Sequence, residues 1–250
     1  EKNKVIYKPI PLHRDQAFAK YDGAFLKLLK TVPAMGQMHS YSYNYPNPKK
    51  FNEQVYALDL ALLASVDEKI WVEQAKYIQE SLTDADIDDA FKNMPKEVQD
   101  GTVDEIKSKL KQRKKDLQKY ARKYSDVLSR TVMIAGTDKK DKFIITHNAK
   151  NTIDVAVYRI KKEGDELVYT KKFTAGKTKN LWVYGLDDDD VYEVKGNAKA
   201  AINLRLIGGQ NNDSYTVTNG KKVKIYDFKS RENTYSLDTK TKTVLTDEYD

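Results

Sequence analysis

No cysteine occurs among the 250 residues. Disulfides, thiolate nucleophiles and cysteine-ligated zinc, iron–sulfur or haem centres are therefore excluded. Histidine is scarce: His13, His39 and His147 are the only three, too few for a His-rich transition-metal site. Long apolar runs are missing as well. No stretch approaches the roughly 18 apolar residues that a membrane-spanning helix needs, and mean hydropathy is −0.73, so no transmembrane segment is expected. The opening Glu1-Lys2-Asn3-Lys4-Val5 carries no apolar core of a signal peptide. Both ends read as cuts through a longer polypeptide.

Charge is abundant but not concentrated. Lysine and arginine number 44 against 37 aspartate and glutamate, a net +7. The excess divides evenly between the two halves. A nucleic-acid reader gathers its basic residues on one face, so no nucleic-acid partner is expected.

The hydrophobic pattern changes character near Arg130. Before it, apolar residues recur at helical spacing, and after it they alternate. Residues 5–10 read as a short strand ended by Pro9 and Pro11. Residues 23–31 suggest a short helix, and residues 33–50 a long loop rich in proline. Tyr41, Tyr43 and Tyr45 in that loop suit an edge segment laying its rings on a helical domain. Helix starts follow at Ser65-Val66-Asp67-Glu68, Thr83-Asp84-Ala85-Asp86 and Thr102-Val103-Asp104-Glu105, the first and third as capping boxes. The last opens one long helix with Ile106, Leu110, Leu117, Ala121, Tyr124 and Leu128 on a face. Residues 102–130 hold ten Lys/Arg and four Asp/Glu. This basic face reads either as solvated or as a phosphate-binding surface, for which Lys114 and Arg122 are candidates.

From Thr131 the strands are closely spaced, with Gly, Asn and Asp in the turns, as antiparallel connections need. The expectation is an α+β chain: a mainly α-helical domain over 1–130, then an all-β domain over 131–250, a sandwich or a short repeat-bearing β-solenoid. An internal repeat marks the second part: glycine, aspartate five residues on, an aromatic at seven and Ile/Val at nine. It fits Gly136, Asp141, Phe143 and Ile145; Gly185, Asp190, Tyr192 and Val194; and Gly208, Asp213, Tyr215 and Val217. The glycine is expected to supply a positive φ, and the aromatic and β-branched residues to face the core. The unit from Gly208 to Tyr215 resembles the Gly-Gly-x-Gly-x-Asp nonapeptide of RTX calcium-binding β-rolls, with Asn211 in place of a glycine. Asp187, Asp188, Asp189 and Asp190 are four adjacent carboxylates whose repulsion a cation with six to eight oxygen ligands would relieve. With Asp213 they form the candidate calcium ligands, the alternative being an exposed acidic turn.

His13-Arg14-Asp15 has the order of a protein-kinase catalytic loop, but Lys20 stands where that loop needs asparagine, and no glycine-rich nucleotide loop exists. The segment Pro11-Leu12-His13-Arg14-Asp15-Gln16-Ala17-Phe18 with Asp22-Gly23 instead resembles part of large Gram-negative cell-envelope proteins. These combine a calcineurin-like metallophosphoesterase domain with an outer-membrane β-barrel region. The resemblance continues through Leu58-Asp59, Trp71, Ala75, Leu82-Thr83-Asp84, Pro95, Leu128-Ser129-Arg130 and Gly136-Thr137-Asp138. It extends to residues 185–194 and Arg205-Leu206-Ile207-Gly208-Gly209. It implies a post-catalytic connecting segment, periplasmic or outer-membrane-associated, whose partners are neighbouring domains of a longer chain and envelope proteins. The phosphoesterase ligands are absent from the sequence, so no activity is expected of these residues alone. Residues 11–23 are also similar to the metal-binding strand of spore-coat-type atypical kinases. That similarity implies Asp15 as a ligand to magnesium at a nucleotide phosphate and Arg14 beside the phosphate, with His13 in place of the first aspartate. A phosphotransferase lobe and a calcium-stabilised adhesive β-module are the alternatives to the connecting segment.

Overall fold

A computed structural model describes residues 17–21, 23–29, 39–45 and 47–248. The strand expected at 5–10, part of the loop at 33–50, and Arg14 and Asp15 lie outside the described residues. The chain forms two compact units. One combines Glu1–Val55 with Glu68–Tyr124, the other Tyr56–Asp67 with Ser125–Asp250. Among the described residues no helix is long and apolar enough to cross a membrane.

The helices are α1 (Ala24–Leu29), α2 (Pro48–Phe51), α3 (Tyr56–Leu63), α4 (Glu68–Ser81), α5 (Asp84–Lys92), α6 (Gly101–Lys115) and α7 (Leu117–Leu128). In the first unit Thr83 caps α5 through a capping box with Asp86. The cap of α6 is Asp100, not Thr102. Its carboxylate accepts the Thr102 N–H at 2.8 Å, which starts the helix at Gly101. The single long helix expected after Thr102 is two helices. The Asp116 N–H turns back to the carbonyls of Gln112 and Lys114, ending α6 before α7 begins. Ile87 of α5 and Val103 of α6 are buried.

The second unit corrects the expected class. It is not an all-β domain in an α+β chain. The chain is α/β, a helical N-terminal part followed by a five-stranded parallel sheet and a six-stranded mixed sheet. Helix α3 belongs to this unit. The strands are β1 (Thr131–Ala135), β2 (Asp141–Asn148), β3 (Thr152–Arg159), β4 (Glu166–Thr174), β5 (Asn180–Leu186), β6 (Val191–Lys195), β7 (Asn203–Gly209), β8 (Ser214–Val217), β9 (Val223–Asp227), β10 (Thr234–Leu237) and β11 (Lys242–Leu245). The parallel sheet runs β1-β5-β7-β9-β11 and the mixed sheet β10-β8-β6-β2-β3-β4. Among the described residues only β2–β3 and β3–β4 pair antiparallel. From β4 onward successive strands alternate between the sheets. Each turn therefore carries the chain across to the other sheet, and strands meeting in one sheet run the same way. Parallel strands are usually covered on both faces and apolar throughout. Here each sheet has a buried inner face and an outer face, so the sequence alternates as an antiparallel one would.

The repeat sets the register. Phe143 pairs with Tyr192 and Tyr192 with Tyr215, and Tyr215 pairs with Tyr235 on β10. Their rings stack at centroid distances of 4.9, 4.8 and 5.4 Å, nearly parallel. Each of the first three is fully buried. A buried aromatic of this size contributes about 1.5–3 kcal/mol by area alone, and each ring pair about 0.5–1.5 kcal/mol more. Ile145, Val194 and Val217 form the next inward row.

The repeat glycines serve a purpose other than the expected positive φ. Neither Gly185 nor Gly208 lies in the left-handed region. A Cβ on Gly185 would lie 2.0 Å from Asp190 Oδ2, 2.5 Å from the Gly208 carbonyl and 2.7 Å from the Tyr192 hydroxyl. The glycine makes room for the carboxylate and phenol of its own repeat. Gly185→Ala is therefore expected to lower the stability of this unit by about 1–3 kcal/mol through overpacking. Gly176→Ala, where a Cβ meets nothing within 4 Å, is expected to stay within about 0.5 kcal/mol. Thermal melts of the two variants check this, and equal stabilities would refute it.

Candidate functional site

The turn before each strand of the repeat delivers an aspartate to the same level of the winding. Asp141, Asp190 and Asp213 are each buried, at 1% exposure or less. The Asp141 N–H donates to Asp190 Oδ1 at 2.7 Å. The Asp190 N–H donates to Asp213 Oδ1 at 2.8 Å, and the Asp213 N–H to Asn233 Oδ1 at 2.7 Å. Each backbone donor that the turn leaves without a strand partner is thus satisfied by the side chain of the following coil, as buried donors must be.

The ends of this ladder differ from its middle. Asp141 pairs with Arg159 Nε at 2.9 Å and accepts from the Thr137 N–H and hydroxyl at 2.6 and 2.8 Å. Asn233 at the other end is an amide, and its Nδ2 donates to the Phe228 carbonyl at 3.2 Å. Between them, Oδ2 of Asp190 and of Asp213 is buried with no hydrogen-bond partner. Burial, aided by the neighbouring carboxylates, raises Asp190 to about 8 and Asp213 to about 7. An isolated buried carboxylate costs several kcal/mol, whereas a neutral acid still accepts through Oδ1. Asp227 occupies the position of the repeat glycine after Ile207-aligned Tyr226, and accepts from the Tyr215 hydroxyl at 2.6 Å. Burial raises its carboxyl as well.

The candidate calcium ligands are therefore not brought together as a cation site. Asp187 is exposed and accepts from Asn211 Nδ2 at 2.9 Å. Asp188 accepts the following N–H, and Asp189 is held by Lys140 Nζ at 2.8 Å and by the Asn212 N–H. Asp190 and Asp213 face inward, each with its Oδ2 close against the glycine of its own repeat, Gly185 and Gly208. Among the described residues no group of three or more His, Cys, Asp or Glu is arranged to hold a metal. The residues present do not fit calcium.

Of the candidate phosphate ligands, Lys114 and Arg122 are among the described residues, and each faces an acid. Lys114 Nζ donates to the Leu82 carbonyl at 3.0 Å and pairs closely with Asp84. Lys111 pairs with Asp88 at 2.7 Å. Arg122 Nε lies 4.0 Å from Glu68. Lys111 and Lys114 of α6 thus pair with the acids of α5, whereas Lys107 and Lys109 pair with Asp104 and Glu105 of α6 itself. Farther along it, Arg113 sits 4.1 Å from the centre of the Tyr41 ring, and its Nε donates to the Ser42 carbonyl at 2.7 Å. Tyr45 packs on Tyr120 and Phe51 at 5.1 and 4.9 Å. Beside this strip Trp71, Ile78, Leu117 and Tyr120 line an apolar cavity of about 380 Å³.

Sequence reasoning missed the fourth coil, β10 and β11. Asn233, Tyr235 and Leu237 keep the spacing of aspartate, aromatic and aliphatic residues, but Asn233 follows Asp227, which stands in the glycine position, by six residues instead of five, which hid the signal. It also passed over His147. This side chain is buried on β2 with neither ring nitrogen partnered, and burial lowers its basicity.

The buried acids have a pH signature. The unfolded chain ionises its aspartates near 3.9, while folded Asp190 and Asp213 hold their protons to about 8 and 7. Over that interval the folded state binds more protons, so stability falls as pH rises. The opposing contribution of His147 lies below its unfolded value of about 6.5. Between pH 6.5 and 9 the melting temperature is expected to drop. Asp190→Asn, which copies Asn233, is expected to stabilise by about 1–3 kcal/mol at pH 9 and to flatten the profile. A melting temperature that rises across this window, or an unchanged slope in the variant, would refute neutral buried acids. No protein-family model, curated protein or solved structure matches the chain.

Proposed function

We propose that the chain is a non-catalytic scaffold that connects parts of a larger, envelope-anchored, metallophosphoesterase-linked protein. One observation carries the non-catalytic reading. The carboxylates that the sequence offers for metal chemistry, Asp190 and Asp213, are used as acceptors that hold one coil to the next. Lys114 and Arg122 of the phosphotransferase alternative face acids of their own unit. A rigid winding of this kind suits the role of a spacer, because each added coil extends the same core. The envelope setting, periplasmic or outer-membrane-associated, rests on the resemblance of residues 11–23, 185–194 and 205–209 to post-catalytic segments of such proteins. Neighbouring domains and envelope proteins are then its partners.

The reading frame that encodes the chain is expected to carry a metallophosphoesterase domain upstream, and the native product to fractionate with outer membranes. A frame ending at these 250 residues would refute the connecting role. Calorimetry of the chain with Mg·ATP is expected to give no saturable heat beyond that of magnesium alone. Saturable heat abolished by Asp15→Ala would restore the phosphotransferase lobe instead.

A further inference from the structure

The two sheets of the second unit present unlike outer faces. On the mixed sheet the outward charges are paired: Lys142 and Lys195 with Glu193, and Lys172 with Asp154. On the parallel sheet, register places Met133, Trp182, Arg205, Lys224 and Lys242 in one outward row across β1, β5, β7, β9 and β11. The inward neighbours Val132, Leu181, Leu204 and Ile225 are buried, which fixes the row on the outside. None of these strands carries an outward carboxylate. Adjacent strands lie about 4.8 Å apart, so Arg205, Lys224 and Lys242 form a line of like charges. Neighbouring like charges on a sheet destabilise it; Glu248, from the segment after β11, lies on this side beside Ile207 and Tyr226, and no ion pair joins Arg205, Lys224 or Lys242 to a carboxylate among the described residues. Aromatic rings compensate in part. Arg205 lies 4.9 Å from the Trp182 ring centre and 5.6 Å from that of Tyr226, and Lys224 lies 4.6 Å from Tyr226. Beside the row runs a ladder of amides. Asn203 Nδ2 donates to Asn180 Oδ1, and Asn180 Nδ2 to Thr131 Oγ1, each at 3.1 Å.

We propose that this face binds an acidic polysaccharide, laid across the strands along the Arg205–Lys224–Lys242 row. Carboxylates on the sugar rings meet the guanidinium and ammonium groups, and sugar hydroxyls meet the amide ladder. Tyr184, outward on β5 opposite Ile207, supplies apolar ring surface beside them. Charge complementarity selects an anion. The cations already lie over Trp182 and Tyr226, which leaves few free ring faces for the base stacking that single-stranded nucleic acid uses. The proposal goes beyond the connecting role, which is decided by the reading frame and is unaffected by its outcome.

Affinity electrophoresis of the 250-residue chain in gels containing polygalacturonate tests it, with dextran as the neutral polymer and oligo-dT as the nucleic acid. Polygalacturonate is expected to retard the chain, and dextran is not. Arg205→Gln with Lys224→Gln is expected to weaken binding about tenfold, equivalent to about 1.4 kcal/mol. Lys242→Gln on the edge strand, whose loss no packing resists, is expected to weaken it about threefold. Lys142→Gln with Lys172→Gln removes the same charge from the opposite sheet and is expected to leave affinity within about twofold. Thermal melts confirm that each variant is folded. Absence of retardation, equal losses in the two double variants, retardation by dextran, or tighter binding of oligo-dT with the same dependence on Arg205 would each overturn the proposal.

Discussion

The N–H of Asp190 points at the carboxylate of Asp213, as that of Asp141 points at Asp190 and that of Asp213 at Asn233. A tight turn between two sheets leaves one backbone donor without a strand partner, and burial makes that donor costly. The side chain of the next coil supplies the acceptor, and the other features of the winding follow. The carboxylate must lie over the turn of its own repeat, so that turn carries a glycine at positions 185 and 208. The aromatic two residues later then falls directly above its counterpart, giving the stacked column from Phe143 to Tyr235.

A column of acids in an apolar interior requires a solution to its charge, and three are used. Arg159 and Thr137 pair the first rung. Asn233 replaces the acid at the last. At the two middle rungs the affinity for the proton is raised, because desolvation outweighs the single hydrogen bond that favours ionisation. Lys171, held by the Ser65 carbonyl and by Asp67 at 2.5 Å each, fastens the segment after α3 to β4. Tyr56–Asp67 belongs to the second unit, where α3 also packs on β1.

Much of this was legible from residue spacing, and the misses have physical causes. The repeat of Gly136, Gly185 and Gly208 marked the level of the stack, and alternation placed the buried rows. Alternation reports which face is buried and is silent about strand direction. A parallel winding with open outer faces therefore read as antiparallel. The run Asp187–Asp190 looked like one cluster because its members are adjacent in sequence, whereas successive backbone directions send them to Asn211, to the turn, to Lys140 and into the core. The basic stretch before Arg130 showed its charge but not its partners, since Asp84 and Asp88 lie on another helix. Asp100 was a stronger cap than Thr102 because its carboxylate reaches the second helical N–H.

Because each coil leans on its neighbours alone, the winding behaves as a one-dimensional array in which nearest-neighbour terms dominate. The column of rings makes the asymmetry of that array visible: Phe143, Tyr192 and Tyr215 are sealed, whereas Tyr235 is 38% exposed. Among the described residues β10 pairs with β8 alone, and the rung of this coil is the amide of Asn233, which accepts the Asp213 N–H. Amides beside the sealed rings of Phe143, Tyr192 and Tyr215 therefore meet water only in the larger openings of the winding, so hydrogen exchange is slowest along this column.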